Sequence, residues 1–149
     1  MSDPGAGDAA TTARLHGSAA AWCGRGVLLL GEPGAGKSAL AVRLLAAGAY
    51  LVADDQVELT CRGPVLHAAA PVATGLLVLR GNGIFLTAAA AGVPVSLCVQ
   101  LLPAAGIERL PENGATTLLG IELPLLRLDG HSAAAVAQIL LALAARRAH

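Results

Sequence analysis

The chain has 149 residues and equal numbers of acidic and basic side chains, so its formal net charge is zero; it presents no basic stripe for a nucleic-acid backbone and is long enough for one domain with a real core. Hydrophobic residues make up 55% of it but aromatics only 2%, a bias toward Ala, Gly, Leu, Val and Arg that raises hydropathy without requiring a membrane. Cys23, Cys61 and Cys98 are odd in number and far apart, which argues against a disulfide framework or zinc site and for reduced thiols in the cytoplasm.

In chain order, residues 1–12 have neither a basic n-region nor an apolar core, so they read as a disordered lead-in rather than a signal peptide. Residues 13–149 form the expected domain. Residues 13–22 predict a first strand, with a turn at Gly24-Arg25-Gly26. The run 27–30 is a short buried strand, and 38–47, rich in Ala and Leu, predicts a helix stopped by Gly48. Further strands are expected at 50–53 and 57–61, with a turn at Arg62-Gly63-Pro64. Segments 76–79 and 84–87 flank Arg80-Gly81-Asn82-Gly83, which has turn chemistry. No charge occurs between Arg80 and Glu108, yet Gly and Pro break that stretch, so short strands fit better than a membrane span. Residues 95–102 are continuously apolar, and 107–128 read as irregular around Pro111 and Pro124. A last helix is expected over 132–147, capped by Ser132 or Asp129, with Arg146 and Arg147 in its last turn. The fold class is α/β, a mixed sheet with few helices.

The only lysine, Lys37, closes Gly31-Glu32-Pro33-Gly34-Ala35-Gly36-Lys37-Ser38, which satisfies the P-loop pattern. A strand before it and a helix after it supply the context that pattern requires. Successive backbone N–H groups of such a loop bind phosphate oxygens, aided by the positive end of the helix. Gly31, Gly34 and Gly36 permit the backbone angles and close approach, whereas Glu32, Pro33 and Ala35 occupy variable positions of the loop. Lys37 would meet the terminal phosphates, and Ser38 would ligate Mg²⁺ through its hydroxyl.

Asp54 and Asp55 end an apolar strand, where two adjacent carboxylates are costly unless used. Neighbours on an extended chain point opposite ways, so the pair should divide its work, one toward Mg²⁺ and one toward a nucleophile or supporting network. His16 precedes the loop's strand closely enough to approach the phosphates, and Arg80 sits in a Gly-rich turn where it either touches phosphate or is solvated. His67, His131 and His149 lack such context and read as surface residues.

The motif blocks, in order, resemble the HPr kinase/phosphorylase family, in particular its short, single-domain alphaproteobacterial form. They are Leu15-His16-Gly17, the loop 31–38, Leu51-Val52-Ala53-Asp54-Asp55-Gln56-Val57, Leu79-Arg80-Gly81-Asn82-Gly83-Ile84, and two later segments, 108–112 and 119–124. The resemblance implies a P-loop fold similar to phosphoenolpyruvate carboxykinase around the nucleotide. It also implies ATP- and Mg²⁺-dependent phosphorylation of a serine on HPr, the phosphocarrier of the sugar phosphotransferase system, reversible by inorganic phosphate. Carried over by motif, Lys37 and Ser38 hold phosphate and metal, Asp54 holds metal, Asp55 takes the serine proton, and Asp54 and His16 support it. Longer relatives form hexamers and carry a further N-terminal domain. Two positions depart from the family: Val78 stands where a metal-binding glutamate is usual, and Ala39 where an acidic residue follows the loop serine. They motivate an alternative, a nucleotide-binding regulatory module with weakened chemistry. A small-metabolite kinase is disfavoured, because no arginine-rich lid or acceptor-binding insertion is evident.

Overall fold

The computed structural model describes residues 11–71, 76–79, 83–86, 92–103 and 114–147. Two helices pack on one face of a mixed sheet. In chain order the elements are β1 (Thr11–His16), β2 (Ser18–Trp22), β3 (Arg25–Gly31), α1 (Lys37–Ala46), β4 (Tyr50–Ala53), β5 (Gln56–Arg62), β6 (Val65–Ala69), β7 (Leu76–Leu79), β8 (Gly83–Leu86), β9 (Val93–Leu101), β10 (Gly114–Leu118), β11 (Ile121–Leu128) and α2 (Ala135–Arg147).

The centre of the sheet is β4-β2-β3-β9, with β9 parallel to β3. The far edge of β9 is shared. Its start pairs antiparallel with β6, which continues into β5 and β1, and its end pairs parallel with β11, which carries β10. One irregularity makes this possible. Gly26 pairs with Val95 but Val27 pairs with Leu97, so Ser96 is an extra residue in β9. The inward face therefore switches. Val93, Val95 and Cys98 lie in the cluster with β5 and β6, whereas Leu97, Val99 and Leu101 pack toward the helices. A Cβ on Gly26 would come within 2.7 Å of the Pro94 carbonyl, so only glycine fits beside the bulge.

Small side chains set the spacing to the helix. Ala20 of β2 faces Leu40, Ala41 and Leu44 of α1, together with Ile139 and Leu143 of α2. On the other face, Ala19 and Ala21 meet Val57 and Leu59 of β5 and Leu66 and Ala68 of β6. The result is a helix layer, a central sheet and a covering layer of hairpins.

Several sequence expectations are corrected. The single strand over 13–22 is two strands with different partners: β1 pairs with β5 and β2 with β3 and β4. The break is at Gly17, where a Cβ would lie 2.8 Å from the Leu29 carbonyl. The first turn is Cys23-Gly24, with both residues at positive φ (52° and 77°), the backbone of a two-residue hairpin. Residues 114–128 are not irregular, because Leu119 and Gly120, also at positive φ (49° and 80°), close the β10–β11 hairpin. Pro124 is tolerated because it precedes the stretch of β11 that pairs with β9. Strand β6 was not anticipated. The final helix starts at Ala135, later than expected, after a turn in which Ser132 Oγ accepts from Ala134 N. No described helix is long and apolar enough to cross a membrane.

Cys98 is 1% exposed, and burial pushes its thiol up from 9.0 to about 11. A thiol reagent at neutral pH should thus label exposed Cys23 quickly and Cys98 only on unfolding. Between pH 9 and 11 the unfolded chain loses this proton first, so this group's contribution to stability falls as pH rises through that window. Chemical denaturation across that range should show a shallower decline for Cys98→Val than for the wild type. Rapid native labelling of Cys98, or equal slopes, would contradict this account of its burial.

Candidate active site

The loop between β3 and α1 turns on two glycines at positive φ, Gly34 (85°) and Gly36 (98°), a region open to glycine at little cost. Gly36 is also the N-cap of α1. It offers no side chain to the helix N–H groups, and the first turn holds no acidic residue. The positive end of the helix therefore remains available to an anion. Lys37 opens the helix and bends back across the loop, its Nζ donating to the carbonyls of Gly31 (2.8 Å) and Glu32 (3.2 Å). An ammonium has three donors, so a third remains.

The Asp54-Asp55 pair follows β4 directly. Asp54 Oδ1 accepts two hydroxyl bonds of 2.8 Å each, from Ser18 of β2 and Ser38 of α1. Ser18 is fully buried, the only buried polar side chain among the described residues. The extended geometry expected for the pair ends before Asp55. Gln56 N donates to Asp54 O (2.9 Å) across a three-residue turn, with Asp55 at φ 74°. This is the rarer, strained hand of the γ-turn. Gly17 N donates to Asp55 O (3.1 Å) and holds the turn from the other side.

Asp55 thereby lines one open cleft of about 330 Å³ with Ser18, Gly34, Gly36, Lys37, Ser38 and Ala39. A strand-end carboxylate, an ammonium, two hydroxyls and an uncapped helix terminus thus converge on one space. Ser38 lines the cleft, and its Oγ lies 2.8 Å from Asp54 Oδ1, so the two are adjacent hard oxygen donors. Mg²⁺ characteristically takes one or two protein oxygens beside phosphate oxygens and water, so the pair fits that ion. The described residues contain no group of three or more His, Cys, Asp or Glu that would suggest a dedicated all-protein metal site.

The other anticipated residues fall as follows. His16 is exposed at the end of β1, opposite Gln56 and so one residue along from Asp55; it does not line the cleft. Glu32, Pro33 and Ala35 belong to the loop, where Ala35 N donates to Glu32 O (3.0 Å). Arg80 lies outside the described residues. Val78 is in β7, opposite Ile84 of β8.

Two residues escaped sequence reasoning. Ser18 carries only a weak signal, a lone hydroxyl in an alanine run. His131 is exposed, as expected of a surface residue, but it has a partner that its sequence context did not signal: its Nε2 lies 3.1 Å from Gly34 O, 97 positions away in sequence.

Residues 8–148 match the family model described as HPr Serine kinase C-terminal domain. The HPr kinase/phosphorylase of Burkholderia cenocepacia (strain HI2424) is 36% identical over 126 residues, a match covering 76% of this chain and 39% of that protein. The HPr kinase/phosphorylase of Paraburkholderia phymatum gives the same identity and coverage. The chain thus spans 39% of the length of the curated relatives it matches. Among solved structures, the Hpr(Ser) kinase/phosphatase from Coxiella burnetii superposes with a TM-score of 0.70 at 25% identity, covering 91% of this chain and 90% of that one. None of these names supports the alphaproteobacterial assignment expected from the motifs. With residues 8–148 matched by the family's model and the fold shared with a solved Hpr(Ser) kinase/phosphatase, this chain belongs to the HPr serine kinase C-terminal domain family.

Proposed function

We propose that the chain is the catalytic domain of an ATP-dependent protein serine kinase that phosphorylates HPr and also runs the reverse phosphorolysis. The observation that carries this reading is that Asp55, held on a strained turn, lines the same cleft as the glycine-rich loop and Lys37. The loop then acts as a P-loop, in a nucleotide site of the phosphoenolpyruvate carboxykinase type.

In the forward direction, Asp55 accepts the proton of the substrate serine while the serine oxygen forms a bond to the γ-phosphorus. The bond from that phosphorus to the bridging oxygen breaks, and ADP leaves. In reverse, an oxygen of inorganic phosphate attacks the seryl phosphorus, the serine oxygen departs and recovers the proton from Asp55, and pyrophosphate forms. Lys37 exchanges its loop carbonyls for phosphate oxygens. Gly34, Gly36 and the start of α1 bind the same phosphates through N–H groups. Ser38 and Asp54 hold Mg²⁺, which neutralises phosphate charge when bound. His16 acts through the turn, since Gly17 beside it holds the Asp55 carbonyl. Arg80 is assigned to phosphate on its place in a Gly-rich turn of the sequence. A cytoplasmic location is read from the three unpaired cysteines, a homo-oligomer, hexameric in longer relatives, from the resemblance, and the short form as alphaproteobacterial on its motifs.

A second reading is a nucleotide-binding module with weakened phosphotransfer. Ala39 favours it, because it lines the cleft where the family usually has an acidic residue.

Phosphotransfer from ATP to HPr, measured with Mg²⁺, should fall about 10²- to 10⁴-fold in Asp55→Asn while ATP binding persists, as for loss of a general base. Lys37→Ala should instead abolish the thermal stabilisation given by ATP. Equal turnover by Asp55→Asn and the wild type would remove Asp55 from the chemistry. If the wild type binds ATP yet transfers no phosphate, the regulatory reading gains. In that case Val78→Glu should increase Mg²⁺ dependence or activity; an unchanged variant would place Val78 away from the metal.

A further inference from the structure

We infer that His131 is a positioning residue for the glycine-rich loop: with Arg43 bracing its segment, it fixes the Gly34 peptide, whose N–H closes the turn onto Glu32 O, and so holds the loop in the shape that presents its remaining amides to phosphate. What the clamp is for rests on the nucleotide reading above; that the clamp exists rests on the loop's own geometry.

The contact is specific. His131 Nε2 lies 3.1 Å from Gly34 O. A carbonyl can only accept, so Nε2 carries the proton in this contact. The neighbouring residue lies close against the next peptide, because a Cβ on Gly130 would overlap the Ala35 carbonyl oxygen. The ring also limits Gly36, where an added Cβ would come within 3.2 Å of His131 Cε1. Two successive loop carbonyls, those of Gly34 and Ala35, therefore face the 130–131 segment. In a trans peptide the carbonyl and the following N–H point in opposite directions. The N–H groups of Ala35 and Gly36 are accordingly turned away from that segment. Ala35 N closes the turn onto Glu32 O, and Gly36 lines the cleft.

Such a hold is needed here. Gly34 and Gly36 both sit at positive φ, and glycine adopts either sign of φ with similar ease, so the loop's own sequence does not fix these peptides. The holding segment is itself fixed. Arg43 of α1 donates from Nη1 to Gly130 O (3.1 Å) and from Nη2 to Ser132 O (2.7 Å). His131 N donates to Asp129 Oδ1 (3.0 Å), and Ser132 N to Asp129 O (3.0 Å). Arg43 stands on the helix that the loop enters. The loop, α1, Arg43 and the turn before α2 thus form a closed circuit, with His131 as the link back to the loop. A planar two-armed guanidinium suits two carbonyls as the point charge of lysine would not. The His131 ring is exposed, so it adds little to global stability and its effect should be local.

The test compares wild type with His131→Ala, His131→Gln and His131→Asn. Glutamine can place an N–H near the Nε2 position, whereas asparagine reaches only as far as Nδ1. In the ligand-free protein, the Ala35 amide should exchange its hydrogen faster in the Ala and Asn variants and return toward wild type in Gln, with Tm unchanged. In ATP titrations, Kd should rise about three- to tenfold in Ala and Asn, the loss expected for one hydrogen bond, and recover in Gln. HPr phosphorylation at saturating ATP should keep its kcat, so only KM for ATP moves. Wild-type exchange and affinity in His131→Ala would overturn the proposal, as would Gln behaving like Ala or a matching drop in Tm. If the wild type itself binds no ATP, the nucleotide reading fails, and the exchange data alone decide whether the clamp exists.

Discussion

Asp54 Oδ1 joins three parts of the molecule at one atom. Ser18 reaches it from β2 and Ser38 from the first turn of α1, each at 2.8 Å, while Asp54 itself ends β4. A carboxylate acceptor makes each bond stronger than one between neutral groups, about 1.5–3 kcal/mol apiece before screening. Ser18 is wholly buried, and a buried hydroxyl without a partner would be costly. The bond to Ser38 fixes the start of α1 against the sheet, and with it the last residues of the glycine-rich loop. Because Asp54 is held, the chain has to kink within a single residue to pass from β4, beside β2, into β5, beside β1. That residue is Asp55, and its positive φ is the local consequence. The position of one carboxylate thus determines where the next one faces.

The sheet supplies the rigidity that such a strained turn needs. Asp55 is bracketed by the Gln56 bond to Asp54 O and the Gly17 bond to Asp55 O, so the start of β5 and the link between β1 and β2 both hold it. Gly17 is where β1 leaves the layer of β2 to pair with β5, and β5 is the strand Asp55 leads into. The bulge at Ser96 lets β9 serve both layers, which closes the covering hairpins over Ala19, Ala21 and Leu28. On the helix side, alanine at position 20 lets α1 lie close enough for Ser38 to reach Asp54. Packing and site geometry share the same small residues.

The parts legible in the sequence were those encoded locally. The loop pattern, the strand before it, the helix stopped by Gly48 and the strand over Tyr50–Ala53 all lie within a short window, and each has a chemical signature. The misread parts depend on partners far along the chain. Nothing near Gly17 signals that the two flanking strands go to different neighbours; the reason is the Leu29 carbonyl beside its Cα. Strand β6 is short and alanine-rich, with weak strand propensity, and exists because β5 and β9 flank it. The β10–β11 turn puts a leucine at positive φ, and β11 contains a proline, so propensity argues against a hairpin that β9 nevertheless pairs into. In the candidate site, the loop and the aspartate pair were readable, whereas Ser18 and His131 were not. Their contacts span 36 and 97 residues, a separation at which a single sequence carries no pattern.

The central claim is that this cleft grips a polyphosphate through the loop while Asp55 faces the transferred group. A crystal structure with a non-hydrolysable ATP analogue and Mg²⁺ tests it most directly. The account predicts phosphates cradled by the amides of Gly34, Gly36, Lys37 and Ser38, with Lys37 Nζ moved from Gly31 O onto them, the metal on Ser38, and the Asp55 carboxylate directed at the γ-phosphate. A nucleotide bound elsewhere, or one in the cleft with Lys37 still on its loop carbonyls and Asp55 turned away, would contradict it.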